Sequence, residues 1–387
     1  MLSNIKPEVN SMPFYIVLSR NVFFTEDDEI RPETLELIER VKGTDIFIAI
    51  MSRKLGTYKG LVDQLLGDGH QVMFTDRNNW YKDQGVNRKQ ILFVGAVKQD
   101  MWIAANNKAL LINPLWLDNV EDEIEEYGFA LESPSQLIEC IEILTLEPVA
   151  FVNEKISPKS KLIAISNANK YYKLTPKNNE MIYKYTGILK YNKDLHLYAL
   201  YFHYLTLIIN NDDFDNIDYW MTFPSSSGKN ENAIYSIAKN TRYLFKNRYK
   251  DEILIRHTPA QKSTSIDSAK RIEQGAGRHF NTLNLNPNYK GKLSGKRIVV
   301  LDDFVTNGSS FESARNLLEE QGVKEIIFLA IGTFKKLYQY EVYELQGNVF
   351  QEGYSYECRK AKFLNFNYDD SALAVTEKIY DILNSHK

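Results

Sequence analysis

The chain has 387 residues, 44% of them hydrophobic, enough for two or three domains with buried cores. Its 47 basic and 50 acidic side chains leave a net charge of −3, which excludes a general nucleic-acid or acidic-membrane surface. Two cysteines, Cys140 and Cys358, are too few for a disulfide framework or a zinc ribbon, and the opening MLSNIKPEVNSMPF lacks the basic-then-apolar order of a signal peptide, so a reducing, cytoplasmic setting is expected.

FYIVL (14–18) has the apolar, β-branched composition of a strand, RPETLELIERV (31–41) the spacing of a helix with proline near its start, and DIFIAIM (45–51) the character of a second buried strand. A helix around KGLVDQLLGDG (59–69), strands HQVMFT and ILFVG (91–95), a helix DMWIAANNKA (100–109) and a strand LLINP follow. SPSQLIECIEIL (133–144) closes the series with Ser-Pro at its start. Strands alternating with helices in this rhythm predict a parallel α/β sheet. The stretch ILFVGAVKQDMWIAANNKALLI resembles the fourth motif of the haloacid dehalogenase (HAD) family, with Gly95 and Asp100 kept and Ala96 in place of an acid; Ser52 in IAIMSRK stands where the second motif would be. At the first motif that family needs a nucleophilic Asp and a general-acid Asp two residues on, whereas LSRN puts Ser19 and Asn21 there. Without those carboxylates a phosphoryl acceptor and the usual Mg²⁺ cage are missing. The resemblance therefore implies a HAD-like domain without phosphatase activity, kept as a scaffold or binding module.

Residues 150–210 combine LIAIS and KYYKLT with several Asn- and Pro-containing turns, which predicts a hairpin or small sheet joining two domains, and DLHLYALYFHYLTLII then predicts a buried helix. The apolar run inside it, Tyr198 to Ile209, is interrupted by His203 and too short to span a bilayer. His196 and His203 fall seven apart with no acid or cysteine nearby, which favours packing over metal binding. DYWMTFPSSSGKNENAIYSIAKNTRYLF (218–245) predicts a strand, a Ser-rich turn and a helix. Ser225, Ser226, Ser227, Gly228 and Lys229 in that turn offer hydroxyls, backbone N–H groups and a cation to an anion, although such turns are also ordinary loops. ILIRHTPAQKSTSIDSAKRIEQGAGRHFNTL (253–283) predicts a long flexible loop carrying Arg256, Lys262, Lys270, Arg271 and Arg278, either a solvated basic loop or a lid over a pyrophosphate leaving group. GAGRHF follows no predicted strand and is not a dinucleotide fingerprint.

In VVLDDFVTNGSS (299–310), Ile298 to Leu301 predict a strand buried on both faces. Ser309 with Glu312 fits a capping box for a helix that places Phe311, Ala314, Leu317 and Leu318 on one side and stops at Gly322. A turn at a helix start presents backbone N–H groups to a phosphate, Thr306, Ser309 and Ser310 add hydroxyls, Gly308 allows close approach, and Asp302 with Asp303 suits vicinal ribose hydroxyls. The same acids could serve simply as helix-start acids. The segment resembles the phosphoribosyl pyrophosphate (PRPP) loop of type I phosphoribosyltransferases. That resemblance implies that Asp302 and Asp303 are catalytic residues holding the ribose hydroxyls, and that Thr306, Asn307, Gly308, Ser309 and Ser310 hold the 5-phosphate. It also implies that Ser225 to Lys229 meet the pyrophosphate together with Arg256, Lys262, Arg271 and Arg278. Gln261, Ser265, Arg271 and Arg278 stand in an order similar to the ComF-like branch, whose N-terminal zinc ribbon this chain lacks. VKEIIFLAIGTF predicts the next strand and DSALAVTEKIYDILNS the final helix.

Together these readings predict an α/β protein of two parallel-sheet domains, HAD-like over 1–148 and phosphoribosyltransferase-like over 211–387, joined by a hairpin and helix at 149–210. The expected function is transfer of phosphoribosyl from PRPP to a base or nucleotide with release of pyrophosphate, Mg²⁺ being bound mainly through PRPP and not by a protein metal site. The alternative is a non-catalytic PRPP- or nucleotide-sensing subunit, or an effector of a bacterial conflict system associated with a reverse transcriptase, with nucleic acid as a partner only in such a complex. An oligomer, a protein partner on the HAD-like domain and no membrane association complete the expectation.

Overall fold

The computed structural model describes residues 13–67, 69–81, 87–172, 175–191, 198–229, 233–245, 251–261 and 267–385. The chain divides into two compact units, one running to Leu146 and the other from Glu147 to Asn384, apart from short stretches assigned to the first.

In the first unit, β1 (Phe14–Ser19), β2 (Ile46–Ser52), β3 (Val72–Asp76), β4 (Ile91–Val94), β5 (Leu110–Pro114) and β6 (Phe129–Leu131) form one sheet. Its order is β3-β2-β1-β4-β5-β6 and every pairing is parallel, as the alternating pattern predicts. The connections carry α1 (Arg20–Phe23), α2 (Pro32–Val41), α3 (Leu55–Leu66), α4 (Lys98–Asn106), α5 (Asp122–Tyr127) and α6 (Pro134–Leu144). Proline opens α2 and α6, where its missing N–H costs nothing, and the Ser133 hydroxyl caps α6 by accepting from Gln136 N–H at 3.2 Å. From β1 the chain winds first toward β3 and then, from β4, the other way, so the winding reverses between β1 and β4. α4 starts before the expected Asp100 because the Asp100 carboxylate reaches back to the N–H groups of Ala96 (2.9 Å) and Val97 (3.1 Å), which places the acid inside the first turn.

The second unit holds β7 (Val152–Ser157), β8 (Ser160–Asn167), β9 (Tyr219–Thr222), β10 (Leu254–Arg256), β11 (Leu283–Leu285), β12 (Arg297–Val305), β13 (Glu325–Thr333), β14 (Leu337–Gln346) and β15 (Ser355–Asn365). Its main sheet has the order β7-β8-β13-β12-β9, with β8, β13, β12 and β9 parallel and β7 antiparallel to β8. The sheet is therefore mixed, not all parallel: only the tight turn at Pro158 and Lys159 separates β7 from β8, and so short a connection can join only antiparallel neighbours. β10 with β11, and β14 with β15, make two further antiparallel pairs. Helices α7 (Pro176–Tyr191), α8 (Tyr198–Asn210), α9 (Ala233–Leu244), α10 (Ser268–Gln274), α11 (Gly277–Phe280), α12 (Ser309–Glu320) and α13 (Ser371–Asn384) complete it. Residues 149–210, expected as a connector, thus supply the first two strands and two helices of this unit.

His203 of α8 is fully buried, its Nε2 donating to the Val149 carbonyl and its Nδ1 facing the Thr376 hydroxyl of α13, both at 2.8 Å. Burial lowers its pKa to about 4, so it is a neutral packing group, as expected; His196 lies outside the described residues. Among the described residues no helix is long and apolar enough to cross a membrane.

Candidate functional site

β12 extends four residues beyond the expected strand, so Asp302 and Asp303 belong to its carboxyl end and do not sit in the loop. Leu301 pairs with Thr222 of β9 on one side and Asp302 with Ala330 of β13 on the other. Consecutive strand residues point to opposite faces, and Asp302 shares its face with the core residues Ile298 and Val300. Burial, and then the neighbouring Asp303, push the Asp302 carboxyl well above the usual carboxylate range; the Asp303 N–H at 2.9 Å and the Arg256 guanidinium act against this.

The turn that follows is held in one conformation. Gly308 has φ +87°, a left-handed backbone that glycine adopts without strain, and a Cβ there would overlap the Tyr338 ring. Gln339 N–H donates to the Asn307 carbonyl at 2.9 Å, so β14 backs the turn. The expected capping box does not form. The helix N-cap is Gly308 and α12 begins at Ser309, which carries Glu312 into the interior, fully buried, where Arg315 and Tyr338 meet it. Glu312 N–H closes the first helical hydrogen bond onto the Gly308 carbonyl (2.8 Å), and the N–H groups preceding it, at Ser309, Ser310 and Phe311, have no acceptor within the helix. Asn307 is 9% exposed and its side-chain Nδ2 has no hydrogen-bond partner among the described residues. A buried amide donor and a row of helix-start N–H groups at one turn are what an anionic oxygen ligand would satisfy.

The Ser-rich turn follows the adjacent parallel strand, since Phe223 N–H donates to the Leu301 carbonyl at 2.8 Å. The loops after β9 and β12 therefore leave the same edge of the sheet side by side. Ser225 and Ser227 hydroxyls lie 3.1 Å apart, Ser225 donates to the Lys229 carbonyl at 2.8 Å, and Gly228 turns with φ +75° against the Arg256 backbone. Lys229 is exposed at the end of this turn and Ser226 accepts from Ala260 N–H through its carbonyl.

The segment expected as one flexible loop instead contains β10, α10, α11 and β11. Arg256 is buried in β10 and donates to the Ser225 carbonyl (2.7 Å), the Thr282 hydroxyl (2.6 Å) and the Pro224 carbonyl (3.4 Å), so it fastens the Ser-rich turn to the neighbouring ribbon. Burial lowers its pKa to about 10, with Asp302 opposing and Arg278 reinforcing the shift. Arg278 is likewise lowered by burial and by Arg271, and the buried His279 is held neutral by burial, Arg278 and Arg256. Arg278 Nε donates to His279 Nε2 at 3.1 Å, and Arg271 Nε is buried without a hydrogen-bond partner among the described residues. Arg256 is drawn to Asp302 and repelled by Arg278, which is repelled in turn by Arg271, an arrangement that a polyanion would relieve. Lys262 and Ser265 lie outside the described residues; Gln261 and Lys270 are exposed.

What composition could not announce is the hairpin β14–β15 that aligns these parts. Glu341 of β14 accepts from Ala276 N–H at 2.6 Å and Tyr343 hydroxyl from Gly277 N–H at 3.1 Å, which docks the α10–α11 turn. A Cβ on Gly275 would overlap the Glu341 carboxylate, so the Gly-Ala-Gly sequence there serves close approach. The alternating Tyr338, Tyr340 and Val342 were the available signal for β14. Comparison with protein-family models gives no match, and no curated protein matches the chain at a significant level.

Proposed function

We propose that the second unit binds PRPP at the carboxyl ends of β9 and β12 and transfers its phosphoribosyl group to a nitrogen of a base or nucleotide, releasing pyrophosphate. The observation that carries this reading is the placement of two anion-directed turns on adjacent parallel strands, with the Asp302–Asp303 pair at the strand end, Arg256 beside Asp302, and Arg278 and Arg271 following on from Arg256. In this reading the turn from Thr306 to Ser310 takes the 5-phosphate through helix-start N–H groups, hydroxyls and the Asn307 amide. Asp302 and Asp303 accept hydrogen bonds from the ribose hydroxyls and fix the anomeric carbon for attack. Lys229, Arg271 and Arg278 balance charge on the departing pyrophosphate, while Arg256 positions the Ser-rich turn. Mg²⁺ carried by the PRPP oxygens would neutralise the leaving group.

Calorimetric titration of PRPP into the protein, with and without Mg²⁺, tests this. Asp302→Asn with Asp303→Asn should abolish binding while leaving the circular dichroism spectrum unchanged; an unchanged affinity overturns the assignment. A second reading, PRPP or nucleotide sensing without turnover in a partner-bound complex, is favoured by Ser19 and Asn21 at the end of β1 in the first unit, where the resemblance calls for catalytic acids. Pyrophosphate release over a panel of bases and nucleotides separates the two.

A further inference from the structure

The first unit has a site of its own. Beyond the carboxyl ends of β1, β2 and β3, beside the point where the winding reverses, lies a cavity of about 310 Å³. Arg20, Ser52, Arg53, Lys54, Tyr58 and Arg77 line it. With Met51 and Gln99 the lining comes to eight residues, and four of the eight are cations. The acids that meet them are Asp28, paired with Arg20, and Asp100, fully buried and bonded to Arg77 at 2.6 Å. Four positive charges against two negative leave an excess of two, in a chain whose net charge is −3.

The local hydrogen bonding points the same way. Ser52 accepts from Lys54 N–H at 3.0 Å and keeps its own proton as a donor. Arg77 Nε is buried without a hydrogen-bond partner among the described residues, while the other end of its guanidinium holds Asp100. Arg53 and Lys54 are exposed and sit just before α3, a helix of 12 residues whose N-terminal dipole adds positive potential. On the apolar side, the Tyr58 ring stacks on Phe24 with centroids 4.9 Å apart, and Arg20 lies over both rings. At strand β1 the chain offers Ser19 and then Arg20 and Asn21, so no carboxylate stands at the strand end to accept a phosphoryl group or cage a metal.

We infer that this cavity binds the dianionic phosphoryl group of a small phosphate monoester, without a metal and without hydrolysing it. Arg20, Arg53, Lys54 and Arg77 balance the charge, Ser52 donates to a phosphate oxygen, and Tyr58 walls the carbon skeleton. The volume is at the small end for ligand pockets, which fits a phosphorylated metabolite and not a dinucleotide.

The test uses the full chain and inorganic phosphate as probe. Acetylation of Lys54 by acetic anhydride, followed by peptide mass spectrometry, should slow by about fivefold or more in saturating phosphate relative to chloride at equal ionic strength, as high occupancy requires. The exposed Lys42 serves as the control and should react at the same rate in both salts. EDTA should leave the protection intact. Arg53→Glu, a change at an exposed side chain, should remove it, whereas Asp302→Asn with Asp303→Asn should not, since those residues belong to the second unit. Equal protection in chloride, or protection that survives Arg53→Glu, overturns the inference.

Discussion

Asp302 lies beside Asp303 at the end of a strand whose preceding residues are apolar, and both burial and that neighbour disfavour its ionised form. A carboxyl whose folded pKa is raised binds its proton more tightly in the folded than in the unfolded chain. Its contribution therefore favours the fold below the ordinary value of 3.8 and is lost as pH climbs through the raised one. Replacing the acid by an amide of the same shape removes this penalty at neutral pH. Asp302→Asn should stabilise the free protein by roughly 1 kcal/mol at pH 7. The gain should shrink as pH falls toward 4, and PRPP binding should weaken sharply. Urea unfolding midpoints of both proteins across that range check the sign: an equal or lower midpoint for the variant at pH 7 would show that Asp302 is not held at a cost. The expected cation Arg256 has a different standing, because its guanidinium already meets two carbonyls and a hydroxyl, so its part is to hold the Ser-rich turn in place.

Helix α12 and strand β14 are joined by polar contacts in the core, and this pairing fixes the turn between β12 and α12. Arg315 is 1% exposed and bonds Glu312 at 2.7 Å and Glu319 at 2.8 Å, lies over the Tyr340 ring at 4.5 Å and also meets the Glu341 carbonyl. Glu312 accepts from the Tyr338 hydroxyl (2.8 Å) and from Glu341 N–H (2.9 Å), and Asn316 accepts from Tyr343 N–H (2.8 Å). Every member has a partner, which is the condition under which buried charge is tolerated. Removing the cation alone strands the carboxylate. Arg315→Leu should cost about 3 to 5 kcal/mol. The Glu312→Gln, Arg315→Leu pair should lose less, because no charge remains unpaired. Chemical denaturation of the three proteins decides it, and a double variant as unstable as the single one would assign the loss to packing. Because burial already raises the Glu312 pKa, the Arg315→Leu deficit should also narrow as the solution is made acid.

At the scale of the whole molecule, each unit has a complete sheet of its own, since no strand of one pairs with a strand of the other among the described residues. Residues 147–387 expressed alone should unfold cooperatively and bind PRPP with the affinity of the full chain, which calorimetry of both forms measures. A fragment that folds but binds less would assign part of the site to the first unit. The excess positive charge in the first unit's cavity and the arginine cluster of the second are separate features under this division, and phosphate should reach each without the other.

Much of this architecture is legible from local pattern. The β1–β5 series, β9 and its Ser-rich turn, and β12 with its acids and helix all follow from short apolar runs punctuated by turn residues and from helix-start chemistry, whereas the three-residue β6 was too short to read. β15 was hidden because SYECRKAKFLN is mostly exposed and charged, so its strand character comes from pairing with β14 and not from burial. The capping box failed for a related reason: Ser309 and Glu312 have the right spacing, but Tyr338, Arg315 and Glu341 draw the Glu312 carboxylate inward.

The sequence by itself determined the strand–turn–helix units and the residues offered at their ends, because those depend on neighbours a few positions away. Only the tertiary structure decided that Arg256 comes to Asp302 with Arg278 and then Arg271 beside it, and that Arg20, Arg53, Lys54 and Arg77 line one cavity. The first arrangement depends on strand order and on the docking of the α10–α11 turn against Glu341 and Tyr343, contacts made across more than sixty residues that no local spacing encodes.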